Sequence, residues 1–390
     1  MATPVAFAGW DFTPPGDPTR NWGVSVTSGA GYDDNFNGTT TDRQAGLRLN
    51  SDIKLRMSIP LERAFVGAQY DYGIIYPRDV NLGGVNQTHI LSLSANYGFS
   101  PRLTLGLSEN FVQSIQPGIV LGPANAPTSE QFAGTYTYDA VGGTLNYIVA
   151  PRWTLALSGS WDIWRYQNPD LAIVNDHEDY STTVSGLYLL DSRTTVGLNY
   201  QYSQTSYSSP GPDDASDGVS HTVYLSYVRR FNPRLSLQLN GGYTLQRSGN
   251  GGSTAAPSAL GALTYNYAQD SSISLNFAQS LSEASVGISR EFSAQENTSA
   301  SLALNHKITT RLSTFANASY VYTSFKESVS TLSLSGQEEQ LTGQVGLSYA
   351  FRDWLSGTLS YAYTRIFPTT VTAVTPYYRN QVNLGMTLTY

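Results

Sequence analysis

The chain has no cysteine among its 390 residues, which excludes disulfide scaffolds and thiolate metal sites. Charge is also scarce, at 13% of residues against a usual share of about 25%. No apolar run approaches the roughly 18 residues a membrane helix needs. Helical periodicity is absent, and so is any basic block. With 22 Lys and Arg against 29 Asp and Glu, the net charge is −7, which argues against a nucleic-acid partner. Only four histidines occur, His89, His177, His221 and His306, and none sits in a pattern that reads as catalytic. No enzyme activity and no cofactor is expected. An aromatic content of 12% argues against disorder.

What is plentiful is Gly, at 35, and Tyr, at 27, together with Ser and Thr. These fall into strict two-residue alternation. From Leu235 to Leu245 odd positions are apolar or Gly and even positions are polar or Gly. The same beat runs through Leu91–Phe99, Trp153–Trp161, Val196–Tyr202, Leu341–Phe351, Leu355–Tyr363 and Val382–Tyr390. Successive side chains of a strand point to opposite faces, so each segment has one apolar face and one small, polar face.

Turn signals repeat as well: Ser100-Pro101-Arg102, Ala150-Pro151-Arg152, Asp191-Ser192-Arg193, Asn232-Pro233-Arg234, Thr309-Thr310-Arg311 and Phe351-Arg352-Asp353. From Arg102 the arginine spacings are 50, 41, 41, 77 and 41, the 77 covering two periods with Gln269-Asp270-Ser271 between. A propeller blade would need four short strands per period; here each period holds two long ones. The strands are predicted at 21–36, 43–57, 63–76, 87–99, 102–115, 131–149, 152–166, 179–190, 193–207, 219–231, 234–247, 258–268, 271–283, 295–307, 311–325, 339–351, 354–367 and 377–390. Eighteen strands put both chain ends on one side, with short Pro/Asp/Arg turns there and longer loops opposite. That asymmetry matches outer-membrane barrels, whose short turns face the periplasm.

A soluble double sheet would also alternate. Two features weigh against it. The polar face carries Ser, Thr, Gln, Asn and Gly rather than Lys and Glu, and the apolar face ends in aromatics in strand after strand, as at Tyr97 and Phe99, Trp153 and Trp161, or Tyr361 and Tyr363. Aromatic rings at strand ends suit the two membrane interfaces. In lipid every backbone polar group must be paired, so a spanning sheet must close. The expected fold is all-β: a transmembrane antiparallel up-and-down β-barrel over 21–390, in outer-membrane lipid. Residues 1–20 read as a short periplasmic tail, in which Ala6-Phe7-Ala8 resembles the end of a signal peptide remnant over 1–8.

Parity predicts the wall of the pore. Candidates are Gln238 and Asn240, and a charged row of Arg48, Asp52, Lys54 and Arg56, with Gln69 and Asp71 on the next strand. The row reads either as a selectivity strip or as an internal ion-pair ladder; mixed signs favour the ladder. The turn arginines Arg63, Arg102, Arg152, Arg193, Arg234, Arg311 and Arg352 form a candidate periplasmic rim. They would draw an anionic polymer or acidic partner, or anchor to phospholipid headgroups, the favoured reading. The acidic stretches Asp176-His177-Glu178-Asp179 and Asp213-Asp214 with Asp217 hold ligand types that a divalent cation takes, but solvated loops explain them more simply. No inward-folding loop is evident.

Val382, Leu384, Met386, Leu388 and the terminal Tyr390 look like the C-terminal signal that the barrel assembly machinery of Gram-negative bacteria recognises. With Gly31-Tyr32-Asp33-Asp34-Asn35 and the repeated Pro-Arg-Leu/Trp joints, the chain from about residue 20 resembles the β-barrel porin 2 family. The resemblance implies an exopolysaccharide-secretion pore working with a periplasmic polysaccharide export protein. The residues themselves point only to a wide, polar, weakly charged pore for a polysaccharide or a small hydrophilic solute. Three roles follow: polysaccharide export, a diffusion porin, and a barrel that merely anchors surface loops.

Overall fold

The computed structural model describes residues 20–36, 38–41, 43–77, 85–114, 120–121, 127–128, 135–169, 172–173, 176–208, 217–249, 252–282, 292–327, 336–367 and 376–390. The tail 1–19 and Asp213-Asp214 lie outside them.

Among the described residues twenty strands form, and each alternating run becomes one. They are β1 (Trp22–Asp33), β2 (Gly46–Pro60), β3 (Ala64–Pro77), β4 (Asn86–Ser100), β5 (Leu103–Ser114), β6 (Val120–Leu121), β7 (Pro127–Thr128), β8 (Tyr136–Ala150), β9 (Trp153–Tyr166) and β10 (His177–Asp191). Then come β11 (Thr194–Tyr207), β12 (Gly218–Asn232), β13 (Leu235–Ser248), β14 (Ser253–Ala268), β15 (Ser271–Ser282), β16 (Phe292–Lys307), β17 (Leu312–Glu327), β18 (Gly336–Arg352), β19 (Leu355–Ile366) and β20 (Tyr377–Thr389). Eighteen of them make one antiparallel sheet in which each strand pairs with its sequence neighbours, β5 with β8 across the small β6–β7 ribbon. β20 pairs back onto β1, so the sheet is a closed cylinder. With eighteen strands spaced about 4.8 Å apart and tilted about 40°, its diameter is about 35 Å.

The two faces separate as parity requires. On a cylinder the convex side spreads side chains apart and the concave side crowds them. The apolar parity is the spread one: Leu198 is 60% exposed, Leu225 64% and Leu384 59%. The polar parity is crowded, with Ser92, Asn199, Thr222 and Thr244 all buried. Cross-strand hydrogen bonds knit that inner face: Ser92 Oγ to Asn110 Oδ1 at 3.1 Å, Thr222 Oγ1 to Thr244 Oγ1 at 2.9 Å and Ser319 Oγ to Thr342 Oγ1 at 2.6 Å. The barrel is greasy outside and hydroxyl- and amide-lined inside, the inverse of a soluble sandwich.

The turn motif has a physical cause. In four hairpins the side chain two places before the arginine caps the turn: Ser100 Oγ, Asp191 Oδ1, Asn232 Oδ1 and Thr309 Oγ1 accept from the backbone N–H of Arg102, Arg193, Arg234 and Arg311. These are Asx- and Ser/Thr-type turns, which pre-form the reversal locally.

β7 lies against β17, which stands nearly opposite β5 and β8 in the ring. Thirteen residue steps separate Ser114 from Pro127, a span of at most about 43 Å. There the inward-parity residues of β17, Val321, Thr323 and Phe325, are only 2–3% exposed. The expectation that no loop folds inward is therefore corrected at β7, which reaches the far wall. Nothing in the Gly-, Pro- and Ala-rich sequence between β5 and β8 marks that destination.

Candidate functional site: the pore wall

On β2 the even positions Arg48, Asp52, Lys54 and Arg56 share the inner face, while Leu47, Leu49, Ile53, Leu55 and Met57 stand exposed on the outer one. The register sets Lys54 opposite Asp71 and Arg56 opposite Gln69. Lys54 Nζ is 3.7 Å from Asp71 Oδ2, and Gln69 Nε2 donates to the same oxygen at 2.9 Å. At Lys54 and Asp71 acid faces base across the strand pair. Gln238 and Asn240 face inward on β13, below the buried Thr244 and Gln246.

The upper end of this strip belongs to a constellation that sequence reasoning missed. Asp33, at the end of β1, is fully buried. Arg379 of β20 grips both its oxygens, with Nε at 3.0 Å from Oδ1 and 2.9 Å from Oδ2, and Nη2 also on Oδ2. Gln381 Nε2 donates to Oδ2 at 2.7 Å and the Asn35 N–H to Oδ1 at 3.1 Å. Arg48 Nη1 stands 3.9 Å away and sends Nη2 to Asn383 Oδ1 at 2.6 Å. The next two residues complete a clasp: Asn380 donates N–H and Nδ2 to the two oxygens of Asp34, both at 2.6 Å, and Asn35 Nδ2 donates to the Tyr378 carbonyl at 2.8 Å. A Cβ on Gly31 would lie 2.9 Å from the backbone carbonyl oxygen of Val382, so glycine suits this close approach. The Gly31–Asn35 segment thus fastens the first strand to the last. Its weak signal in the sequence was the adjacent acid pair, with Tyr377-Tyr378-Arg379-Asn380-Gln381 far downstream.

The other end of the seam is closed by Tyr390 and the strand before it. Val382, Leu384, Met386, Leu388 and Tyr390 all point outward, 42–65% exposed. Tyr390 exchanges two backbone hydrogen bonds with Val24, at 2.8 and 3.0 Å, and its ring meets that of Trp22 at 5.7 Å.

All seven rim arginines are exposed at the short-turn end. Six share one backbone role: the carbonyls of Arg63, Arg102, Arg152, Arg193, Arg234 and Arg311 accept from Gly98, Ile148, Leu189, Arg230, Asn266 and Ala350 of the neighbouring hairpin. Arg352 does not share it. Trp354 occupies that slot, its carbonyl accepting from Thr389, and Arg352 takes the position two residues earlier. The 41-residue spacing brought it close but out of phase.

The stretch Asp176–Asp179 is not a loop cluster. His177 to Asp179 open β10, and alternation splits them: His177 and Asp179 face inward, Glu178 outward. Glu178 pairs there with Arg165 and accepts from Tyr180 Oη at 2.9 Å. Among the described residues no group of three or more His, Asp or Glu converges as metal ligands do.

No protein-family model and no curated protein sequence matches the chain. Among solved structures, OccK2 (OpdF) of Pseudomonas aeruginosa aligns with a TM-score of 0.49 at 11% identity, over 95% of this chain and 98% of that one. The outer membrane protein opdK of the same organism gives 0.47 at 12%, over 95% and 99%. OccAB3 of Acinetobacter baumannii gives 0.45 at 12%, also over 95% and 99%. Identities this low bear on shape alone, and the closed barrel rests on the chain's own ladder of strand pairs.

Proposed function

We propose that the chain is a passive pore of the Gram-negative outer membrane for hydrophilic, weakly charged solutes. The observation that carries this reading is the closed eighteen-strand ring whose inner face is polar and whose outer face is apolar. A ring of this size leaves an aqueous channel, whereas eight strands would be filled by side chains. Several of the inward charges are spent on one another, as at Asp33 with Arg379 and Lys54 with Asp71. That favours conduction over catalysis and leaves no strong single-sign filter.

Two cargoes fit such a wall. Diffusion of small solutes is favoured by β7 lying against β17, since a segment set against the far wall narrows the route. Export of an exopolysaccharide with a periplasmic partner is the second reading, supported by the sequence resemblance and by the neutral hydroxyl and amide lining. Reconstitution in a planar bilayer tests the pore itself. Stepwise, weakly ion-selective conductance is expected; an electrically silent, folded barrel would instead favour an anchor for surface loops. In cells, deletion of the gene separates the cargoes: slowed solute uptake with unchanged surface polysaccharide supports the porin, and lost polysaccharide supports export.

A further inference from the structure

The periplasmic base of β11, β12 and β13 gathers four arginines. Arg193 and Arg234 sit in the two turns, and Arg229 and Arg230 lie near the end of β12 between them. Strand pairing sets Arg229 beside Thr194, and the backbone N–H of Arg230 donates to the Arg193 carbonyl at 2.9 Å. Alternation divides the β12 pair. Arg229 has the parity of the outward Val223 and Leu225, and Arg230 that of the inward Thr222 and Ser226. Arg193 Nη1 donates to the Phe231 carbonyl at 3.1 Å, which holds its guanidinium against the same strand end. The carboxylate beside them, Asp191, accepts the backbone N–H of Arg193 at 2.7 Å. Among the described residues no ion pair engages any of the four.

On the lipid side, the next step into the membrane from Arg229 is an apolar groove of about 590 Å³. Its walls are Leu225, Leu239 and Phe277, its lower corner is Tyr227, and its floor is bare backbone at Gly241 and Gly261. The register explains the shape. Gly241 stands between Leu225 and Ala259, and Gly261 between Leu239 and Phe277. An outward position with no side chain leaves a hollow between neighbours that have one. Tyr227 joins this hollow to the cations: Arg229 Nη1 donates to its Oη at 3.4 Å, and the same guanidinium lies 5.1 Å from the centre of the Phe231 ring.

We propose that groove and arginines form one site for a phospholipid of net negative charge in the periplasmic leaflet, an acyl chain lying in the groove and the phosphate meeting Arg229 and Arg193. Guanidinium forks match phosphate oxygens two at a time. An arginine at the membrane surface keeps its stem in apolar surroundings while its head reaches the phosphates. A zwitterionic lipid brings its own ammonium group, so it gains less from clustered cations. A soluble anion would find the arginines but could not use the groove. The site depends on which face of the barrel meets lipid and not on what the pore conducts.

The test is native mass spectrometry of the folded full chain, released from a polyoxyethylene detergent after titration with phosphatidylglycerol, phosphatidylethanolamine, or glycerophosphoglycerol, which is the headgroup without chains. Phosphatidylglycerol is expected to be retained about tenfold better than either of the others. Arg229→Gln should weaken its retention about tenfold, the scale of one lost hydrogen bond to a charged group. Gly241→Leu should weaken it to a similar degree by filling the groove; a Cβ there meets nothing within 4 Å, so the barrel itself accepts the change. Lys326→Gln, at the loop end of β17, removes the same charge and should leave retention unchanged. Equal retention of the two lipids, equal retention of the bare headgroup, or a loss in only one of the two site variants would each overturn the joined site. So would dimers in place of lipid-bearing monomers, which would assign the groove to a second copy of the chain.

Discussion

Asp33 is the residue on which the seam turns. It is fully buried, and Arg379, Gln381 and the Asn35 N–H all donate to it. Removing one partner of such a pair leaves an uncompensated buried charge, at a cost of about 3–5 kcal/mol. Asp33→Ala should therefore lower the temperature at which the unboiled barrel loses its compact electrophoretic band, whereas Asp34→Ala should cost less. An unchanged transition in Asp33→Ala would remove the clasp as a stabilising device. This pairing was not legible in the sequence. Asp33 and Arg379 are 346 positions apart, and they meet only because β20 returns to β1 in one register. Arg48, Asp52, Lys54 and Arg56 were legible, because period-two alternation fixes a face without reference to any partner. Inward aromatics were hidden for the opposite reason: Tyr138, Trp164 and Tyr207 look like interface rings until the parity of their strands places them inside.

At the scale of elements, each strand carries two demands, and substitutions separate them. Leu225 lies midway along β12 and is 64% exposed on the outer face; its neighbour Ser226 faces inward, where Asn199 Nδ2 donates to its Oγ at 3.1 Å. Arginine in mid-membrane on the lipid side of a barrel costs about 2–4 kcal/mol. Leu225→Arg should show that loss in denaturant titration of the lipid-reconstituted barrel, and Ser226→Arg should lose much less. Equal losses would mean that the faces are misassigned. The turns make a smaller demand. Asn232 Oδ1 caps both Arg234 and Leu235, so Asn232→Ala should cost about 1 kcal/mol in the same titration. Strand positions were largely readable, since alternation and Pro/Asp/Arg punctuation agree along the chain. Boundaries drifted where polar residues extend a strand beyond the apolar ladder: β14 begins at Ser253 rather than 258 and β18 at Gly336 rather than 339. The ladder's greasy segment marks the lipid span, and hydrogen bonding continues past it.

For the whole molecule, closure explains why so little apolar core exists. Among the described residues the small buried cluster of Ala256, Leu281 and Ala294 is minor beside the outward-facing apolar surface, which lipid covers instead. Closure also gives Tyr390 a double role, since it extends the outward ladder and pairs with Val24. Tyr390→Ala should reduce the amount of folded barrel recovered from membranes several-fold, read by the electrophoretic shift. Normal recovery would show that neither contact matters to assembly. What no local pattern revealed is the place of β7 against β17, because a segment's destination across a cavity is set by the far wall.

The orientation of the two faces underlies every step above, and the absence of native cysteine makes it directly measurable. Single cysteines placed from Ser236 to Asn240 and spin-labelled in lipid should alternate: labels at 237 and 239 collide with oxygen dissolved in the hydrocarbon, and labels at 236, 238 and 240 collide with a water-soluble nickel chelate. Oxygen accessibility highest at the even positions, or no alternation at all, would contradict a barrel that shows lipid its leucines and encloses water with its amides and hydroxyls.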